Sequence, residues 1–479
     1  MNFGMILYTL GWILMFEAAF LIVPCITALA YGELSALMAF LTGVGICLLA
    51  GFLMSVKKPK SKALRSRDGF VIVASSWILL SLFGAIPFML TGVTTNYVDA
   101  LFETASGFTT TGATIFKDVE ILPRSIVMWR SFTHWVGGMG ILVFVMAFLP
   151  LSGGTNMYIM RAESPGPTVS KPVPKIKTAA MLLYVVYIVL TVIQIPILLI
   201  DKDITLFYAI NIAFSTAGTG GFGFLNSSAG EFSPYVQIVI TVFMILFSIN
   251  FNSYFLIIKG KFKDAFNTEV KVFLGIVLAS AVCIAINIRT LYGGFGESLR
   301  HSFFSVATVM STTGFTTVNF DAWPTFSKTV LVCIMMIGAC AGSTGGGIKI
   351  SRIIVMFKLI GRELSTALHP KQVKKVTVDG QIVERDVVRS IYSYFFVYIV
   401  LFIAAMTVIS FDGADLITNF TAVAATMGNV GPGLSMVGPL GNYEFFSPIS
   451  KLALTFCMLA GRLELFPMLL LFVPSTWKK

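Results

Sequence analysis

Long apolar runs, separated by short polar or basic stretches, dominate the chain. One of them, "VIVASSWILLSLFGAIPFML" from Val71 to Leu90, supplies the roughly 20 apolar residues that a bilayer-crossing helix needs. Runs of this kind predict spans near 4–30, 36–55, 70–91, 125–150, 178–200, 234–258, 269–289, 327–358, 388–410 and 448–473. Four further apolar stretches, 99–108, 205–214, 298–308 and 415–424, are too short to cross. The first run lacks a small-residue cleavage site and another span follows it, so it reads as a retained span and not as a signal peptide.

Each short stretch leads into a segment rich in glycine and hydroxyl groups. These segments are "TTTGAT" at Thr109–Thr114, "STAGTGG" at Ser215–Gly221, "STTGFTT" at Ser311–Thr317 and "ATMGNVGPG" at Ala425–Gly433. A Thr-x-Gly tripeptide occurs in all four: Thr110-Thr111-Gly112, Thr216-Ala217-Gly218, Thr312-Thr313-Gly314 and Thr426-Met427-Gly428. The glycines are 106, 96 and 114 residues apart. One such tripeptide carries little information, but four in equivalent places predict a repeat of span, half-helix, glycine loop and span. The expected fold is an all-α polytopic membrane protein. Four pseudo-symmetric helix–pore loop–helix units surround one pore, preceded by two N-terminal transmembrane helices. The boundaries read as 1–56 for the N-terminal pair, then 69–150, 177–259 and 268–360 for units one to three. A cytoplasmic hairpin segment occupies 361–386, and 387–475 forms unit four.

Non-helical backbone at membrane depth is tolerated only where it is buried in protein or lines a wet path. Four such loops meeting on one axis would stack carbonyl rings that replace an ion's hydration shell. Glycine permits the torsions that turn carbonyls inward and leaves no side chain in the way. The half-helices end at the loops, so their partially negative C-termini favour a cation. The twelve residues of the four tripeptides are therefore the expected cation ligands, and none of them is acidic.

The second span of unit three is interrupted by "IGACAGSTGGGIKISR", Ile337–Arg352. Its glycines, Gly338, Gly342, Gly345, Gly346 and Gly347, each cost a helix roughly 1 kcal/mol. With Ser343, Thr344 and Lys349 they predict a flexible loop beneath the filter that obstructs the path. The "GSTGGGIK" string is similar to a phosphate-binding loop, but Ile348 stands where lysine is needed and no strand precedes it. Arg462, in the last span, is a charge near mid-bilayer, expensive unless paired or wet. It is expected either in the cavity below the filter, as a barrier to cations, or paired with Glu464 or another carboxylate. Glu103 is expected to hydrogen-bond behind the filter, Arg130 and His134 to pack at an interface, and Arg300 and His301 to be solvated.

Composition sharpens the class. Of 479 residues 56% are hydrophobic and 12% charged, against roughly 25% charged in soluble domains. The net charge of +11 is concentrated at Lys57–Arg67, Arg161–Lys177, Lys259–Lys271 and Lys349–Arg389, whereas alternate loops such as Tyr31–Ser35 carry no Lys or Arg. By the positive-inside rule the basic loops and both termini are cytoplasmic, with some contact to anionic lipid. The charge therefore reports orientation and calls for no nucleic-acid partner. The six cysteines sit singly in apolar runs and read as buried small hydrophobes. With three scattered histidines and no cluster of nucleophile, base or metal ligands, no enzymatic activity and no bound organic cofactor are expected.

On its four Thr-x-Gly loops, its broken third-unit helix and its late arginine, the chain resembles the Trk/Ktr/HKT superfamily of potassium transporters. The extra N-terminal pair makes it similar to the TrkH/TrkG branch. The resemblance implies potassium uptake across the bacterial cytoplasmic (inner) membrane, with K+ as the transported ion, and a filter glycine at each of the four motif positions. A sodium-conducting or cation-coupled symporter of the same superfamily is the alternative within transport, and a non-transporting membrane enzyme or sensor the alternative of another class. In plant relatives serine at the first position accompanies sodium transport; here that position is Gly112. The resemblance also implies an intramembrane gating loop, a pore-facing arginine, a homodimer, and a cytosolic nucleotide-binding ring like TrkA. The chain has no Rossmann glycine pattern of its own. "KVTVDGQIV" alternates around Asp379-Gly380, a hairpin signal, and is a candidate dock for such a ring.

Overall fold

The computed structural model describes residues 1–59, 64–140, 176–371 and 375–477. Helices make up most of them; the only strands among the described residues are Thr377–Val378 and Gln381–Ile382. Five described helices are long and apolar enough to cross a membrane, or six if the bent pair Pro234–Ser248 and Phe251–Ile258 is one span.

The N-terminal pair consists of Phe3–Phe20, continued by Ile22–Ala30, and Leu34–Ser55. The two helices touch where Gly11 meets Gly51. A Cβ on either glycine would lie 2.7 Å from the other's carbonyl oxygen, and glycine is what lets helix backbones in a membrane approach this closely. The opposite face of the second helix exposes Leu41, Leu48, Leu49, Phe52 and Leu53, as suits a lipid-facing surface. Glu33, just before that helix, reaches unit one and accepts from the Arg124 and Ser125 amides at 2.7 and 3.1 Å. A carboxylate there caps the N-terminus of Arg124–Gly138.

Each unit then has a first span, a half-helix and a second span. The first spans are Ser66–Gly84 (extended by Ile86–Leu90), Ile176–Leu198, Thr268–Asn287 and Arg385–Ile409. The half-helices are Tyr97–Phe108, Leu206–Gly218, Phe295–Met310 and Leu416–Met427. The second spans are Arg124–Gly138, Pro234–Ser248, Thr325–Met335 and Pro448–Arg462.

Interruption of the second spans goes further than the sequence suggests. The spans expected as continuous over 234–258 and 448–473 are both broken. Unit two bends by 90° between Ser248 and Phe251, where Asn250 caps the next helix by accepting from the Asn252 amide at 2.9 Å. Unit four breaks at Glu464 and Leu465, both left-handed (φ 66° and 64°), ahead of Pro467. In unit one the stretch from 141 to 150 lies outside the described residues, as do Lys60, Lys62 and most of the basic segment 161–177.

Cysteine burial also differs in part. Cys25, Cys47, Cys340 and Cys457 are buried, but Cys283 and Cys333 are exposed. Cys283 sits beside the exposed Val282 and Ile286 on one helix, an apolar face where a small thiol needs no partner. The segment after Arg362 forms the expected hairpin, with Thr377 opposite Ile382 and Val378 opposite Gln381. Its turn residues, Asp379 and Gly380, are both left-handed, the geometry an Asp-Gly turn supplies.

Candidate functional site

The half-helices start and stop alike. Asn96, Thr205 and Asp415 cap three of them, accepting from the amides of Val98, Tyr208 and Thr418. The fourth start, at Gly294, has no side-chain cap. At the other end all four finish in the same motif. The amides of Thr111, Gly220, Thr313 and Val430 donate back to Ser106, Ser215, Thr308 and Ala425 at 2.8–2.9 Å. The residue before each, Thr110, Thr219, Thr312 and Asn429, is left-handed with φ between 54° and 61°. This is the Schellman cap, which normally takes glycine. Left-handed backbone costs a non-glycine residue on the order of 1–2 kcal/mol, so the packing around these loops holds three threonines and an asparagine there against their preference.

Two residues beyond each left-handed cap stands a left-handed glycine: Gly112 (φ 79°), Gly221 (75°), Gly314 (90°) and Gly431 (93°). Their neighbours close a ring. A Cβ on Gly112 would strike the Gly220 carbonyl oxygen, one on Gly221 that of Thr313, one on Gly314 that of Val430, and one on Gly431 that of Thr111. Each glycine thus faces the residue preceding the next glycine, and the fourth returns to the first. A cavity of about 110 Å³ opens on this ring and is lined by the four glycines together with Lys117 and Arg130.

The repeat register expected from Thr-x-Gly holds for units one and three and shifts by three residues in units two and four. Gly218, the last residue of its half-helix, and Gly428, the C-cap of its own, stand three residues before the ring glycines, where units one and three have Thr109 and Ser311. Thr216, Ala217, Thr426 and Met427 are in the last turns of their half-helices. The physical reason is the cap itself: only one position per loop is left-handed at C′, and in these units it is Thr219 and Asn429. The usable signal is a Thr/Asn-x-Gly pattern three residues later, Thr219-Gly220-Gly221 and Asn429-Val430-Gly431.

Behind the ring lies a polar brace. Glu103 is fully buried. Its Oε1 accepts from Arg130 Nε at 2.8 Å and from Thr114 Oγ1 at 3.0 Å, and its Oε2 accepts from the Ile115 amide at 3.0 Å. His134 joins half-helix one to loop two: the Phe222 amide donates to Nε2 at 3.2 Å, so Nδ1 carries the proton and donates to Gly107 O at 2.8 Å. Glu103 thus makes hydrogen bonds behind the ring, and Arg130 and His134 touch the loops themselves. Loop four is tied to loop one by Asn429 Nδ2 donating to Thr111 Oγ1 at 3.0 Å and by the Tyr443 amide donating to Thr114 O at 2.8 Å. Buried Lys451 donates from Nζ to the partly buried Asp99 Oδ1 at 2.6 Å, a charged link between the same units. His301 is buried, not solvated, with Nδ1 3.0 Å from Thr317 Oγ1.

The glycine-rich segment packs directly against the half-helix ends. A Cβ on Gly345 would lie 2.9 Å from Ser311 O, and one on Gly346 2.6 Å from Gly428 O. Gly338, Gly342 and Gly347 are left-handed, and so is Lys349. Contacts from every side hold the segment. The amides of Cys340 and Thr344 donate to Ser248 O and Phe247 O, and the Phe251 amide donates to Gly342 O, so the break in unit two is its seat. The Ala341 amide donates to Glu269 Oε1 at 2.7 Å, and the Gly346 amide to Thr312 Oγ1 at 2.6 Å. Ser343 Oγ donates to Cys340 O at 2.6 Å, and Lys349 Nζ to Gly345 O. Arg462 donates from Nη1 to Thr344 O and from Nη2 to Gly137 O and Gly138 O, each at 2.7 Å. Glu464 pairs with Arg352.

Comparison with known proteins supports a single assignment. The family model described as "TrkH: Cation transport protein" matches residues 36–290 and 294–479. The chain is 34% identical over the full length of both proteins to the Trk system potassium uptake protein TrkH of Salmonella typhimurium. It is 31% identical to the Trk system potassium uptake protein TrkG of Escherichia coli K12, covering 98% of this chain and 97% of that one. The crystal structure of the potassium transporter TrkH from Vibrio parahaemolyticus superposes with a TM-score of 0.89 at 31% identity, covering both chains completely. With four half-helices capped alike, one closed ring of loops and relatives that match from end to end, the chain belongs to the TrkH family of cation transport proteins.

Proposed function

We propose that the chain takes up potassium across the cytoplasmic membrane through a filter formed by its four loops. The observation that carries this reading is the ring in which Gly112, Gly221, Gly314 and Gly431 each abut the next loop's backbone. Backbone carbonyls at such a ring offer a dehydrated monovalent cation oxygen ligands with no competing side chain. The C-termini of four half-helices add partial negative charge beneath it. Thr110, Thr111, Thr312 and Thr313, together with Gly112 and Gly314, keep the ligand roles expected from the sequence. In units two and four the equivalent positions are Thr219, Gly220, Gly221 and Asn429, Val430, Gly431.

The segment Gly338–Lys349 acts as the gate. It fills the space under the ring and is held there by Arg462 and Thr312. Arg462 also places a positive charge on the ion's route, an electrostatic barrier while the gate is shut. Basic loops face the cytoplasm, both termini with them. The hairpin at 377–382 docks a cytosolic nucleotide-binding ring, and the membrane subunit works as a homodimer. One link supports regulation from that side: Asp379 accepts from the Thr268 amide at 3.0 Å, and the neighbouring Glu269 holds the gate at Ala341.

Potassium and sodium influx into liposomes carrying the purified chain, with and without the nucleotide-binding partner, tests this reading. Selective potassium influx that declines in Gly314→Ser supports the filter. Equal influx of both ions, or none under either condition, overturns it.

A further inference from the structure

Pseudo-symmetry lets each unit be compared with the other three. The second spans start after Pro123, Ser233, Pro324 and Ser447. Seven residues further on stand Arg130, Ile240, Leu331 and Leu454, all buried. Counted back from the ring glycines, Glu103 corresponds to Ile212, Ser305 and Ala422, again all buried. Three units therefore have an uncharged pair at this place, and unit one alone has an ion pair.

Fold stability does not explain the exception, because a well-packed apolar pair is usually at least as stable as a buried salt bridge. Geometry offers a reason. The Arg130 guanidinium uses three edges: Nε donates to Glu103, Nη2 to Thr114 Oγ1 at 3.2 Å, and Nη1 to Gly223 O at 3.0 Å. It also lies 4.1 Å above the centre of the Phe222 ring. Thr114 and Ile115 follow Gly112 in loop one, and Phe222 and Gly223 follow Gly221 in loop two. The pair therefore clamps both loops just beyond the contact between Gly112 and Gly220. A planar, multidentate cation fixes direction as well as distance, which an apolar pair does not.

We infer that Arg130 and Glu103 are positioning residues for ion discrimination: together they fix the spacing of loops one and two, and hence the width of one quarter of the ring. This inference rests on the reading of the ring as a filter. Without the clamp the spacing of the two loops is no longer fixed and the ring no longer holds the one width that suits potassium, so discrimination against sodium falls while conduction persists. The pair is neutral as a whole, so removing both charges leaves the net charge at the mouth unchanged. An effect on selectivity would then report spacing and not field strength.

The test compares the native full-length chain with the double variant Glu103→Ser plus Arg130→Leu, which reproduces the pair of unit three and strands no charge. Gly431→Ala serves as a filter control, and potassium and sodium influx are measured in liposomes. The expected result is potassium influx within a few-fold of native and a potassium-to-sodium ratio lowered by about tenfold, the factor that corresponds to 1.4 kcal/mol. An unchanged ratio, or equal loss of both fluxes, overturns the inference. Where Gly431→Ala shifts the ratio and the double variant does not, the clamp fails alone; where neither does, the filter reading fails and the clamp with it. Should the double variant not fold, Arg130→Lys decides. Lysine retains the charge but cannot serve Glu103, Thr114 and Gly223 together, so an unaltered ratio in that variant refutes the clamp.

Discussion

Gly428 and Gly431 offer a direct contest between the two possible registers of loop four. Gly431 is left-handed at φ 93°, and a Cβ there would lie 2.6 Å from Thr111 O and 3.1 Å from the Gly112 carbonyl carbon. Gly431→Ala incurs about 1–2 kcal/mol for the backbone conformation and about 1–3 kcal/mol for overpacking. The second of these falls on the carbonyl that closes the ring. Gly428 has an ordinary helical φ of −80°, and a Cβ there meets chiefly Ala424 O of its own half-helix at 2.8 Å. Gly428→Ala therefore incurs only a local overpacking cost, below the ring. If half of the Gly431→Ala cost moves the Thr111 carbonyl, the potassium-to-sodium influx ratio falls by roughly tenfold, since 1.4 kcal/mol is a factor of ten. The ratio in Gly428→Ala stays within about twofold of native, well under that 1.4 kcal/mol step. The assay is paired influx into liposomes at matched protein content. A Gly428→Ala ratio as low as, or lower than, that of Gly431→Ala would refute the placement of the ring at Gly431.

Other expectations concern the gate and its supports. Arg462→Gln removes a charge-assisted hydrogen bond to Thr344 O, about 1.5–3 kcal/mol, so potassium leak without the partner rises at least tenfold; an unchanged leak rejects the latch. Thr312→Val removes the acceptor for the Gly346 amide, a bond of about 1 kcal/mol, and raises the same leak several-fold, with flux again the readout. Lys451→Met leaves Asp99 without its cation in a mostly buried site, costing about 3 kcal/mol; thermal unfolding in detergent shows a lowered midpoint, and an unshifted midpoint means the pair contributes nothing. Deleting 377–382 abolishes co-purification with the nucleotide-binding ring while the membrane part stays folded; retained complex formation rejects the hairpin as the dock.

Much of the architecture was legible because membrane insertion writes itself into composition. Apolar length gave the spans, charge asymmetry the expected sidedness, and a fourfold Thr-x-Gly the repeat. The register of loops two and four was not legible, because Gly218 and Gly221, or Gly428 and Gly431, satisfy the same short pattern. What separates them is which backbone turns left-handed, and Thr219 and Asn429 hold that conformation only under tertiary packing. The breaks at Asn250 and at Glu464–Leu465 carry weaker signals than the glycines of unit three, since nothing near them resembles a glycine run. Arg130 and Glu103 stand 27 positions apart on two different helices, a pairing that helix periodicity cannot reveal.

The ring closes only between its last loop and its first, and this has a consequence for biosynthesis. Asn429 and Thr111 are 318 residues apart, and Lys451 and Asp99 are 352 apart. At about 5–20 residues per second, loop one leaves the ribosome roughly 15–60 s before its partner exists. Throughout that interval its strained cap and its polar backbone lack the partners that loop four supplies. The bonds from Glu103 to Arg130, Thr114 and Ile115 all lie within unit one and are available at once. The nascent chain can therefore hold its first quarter in shape, as a template, until the last quarter arrives.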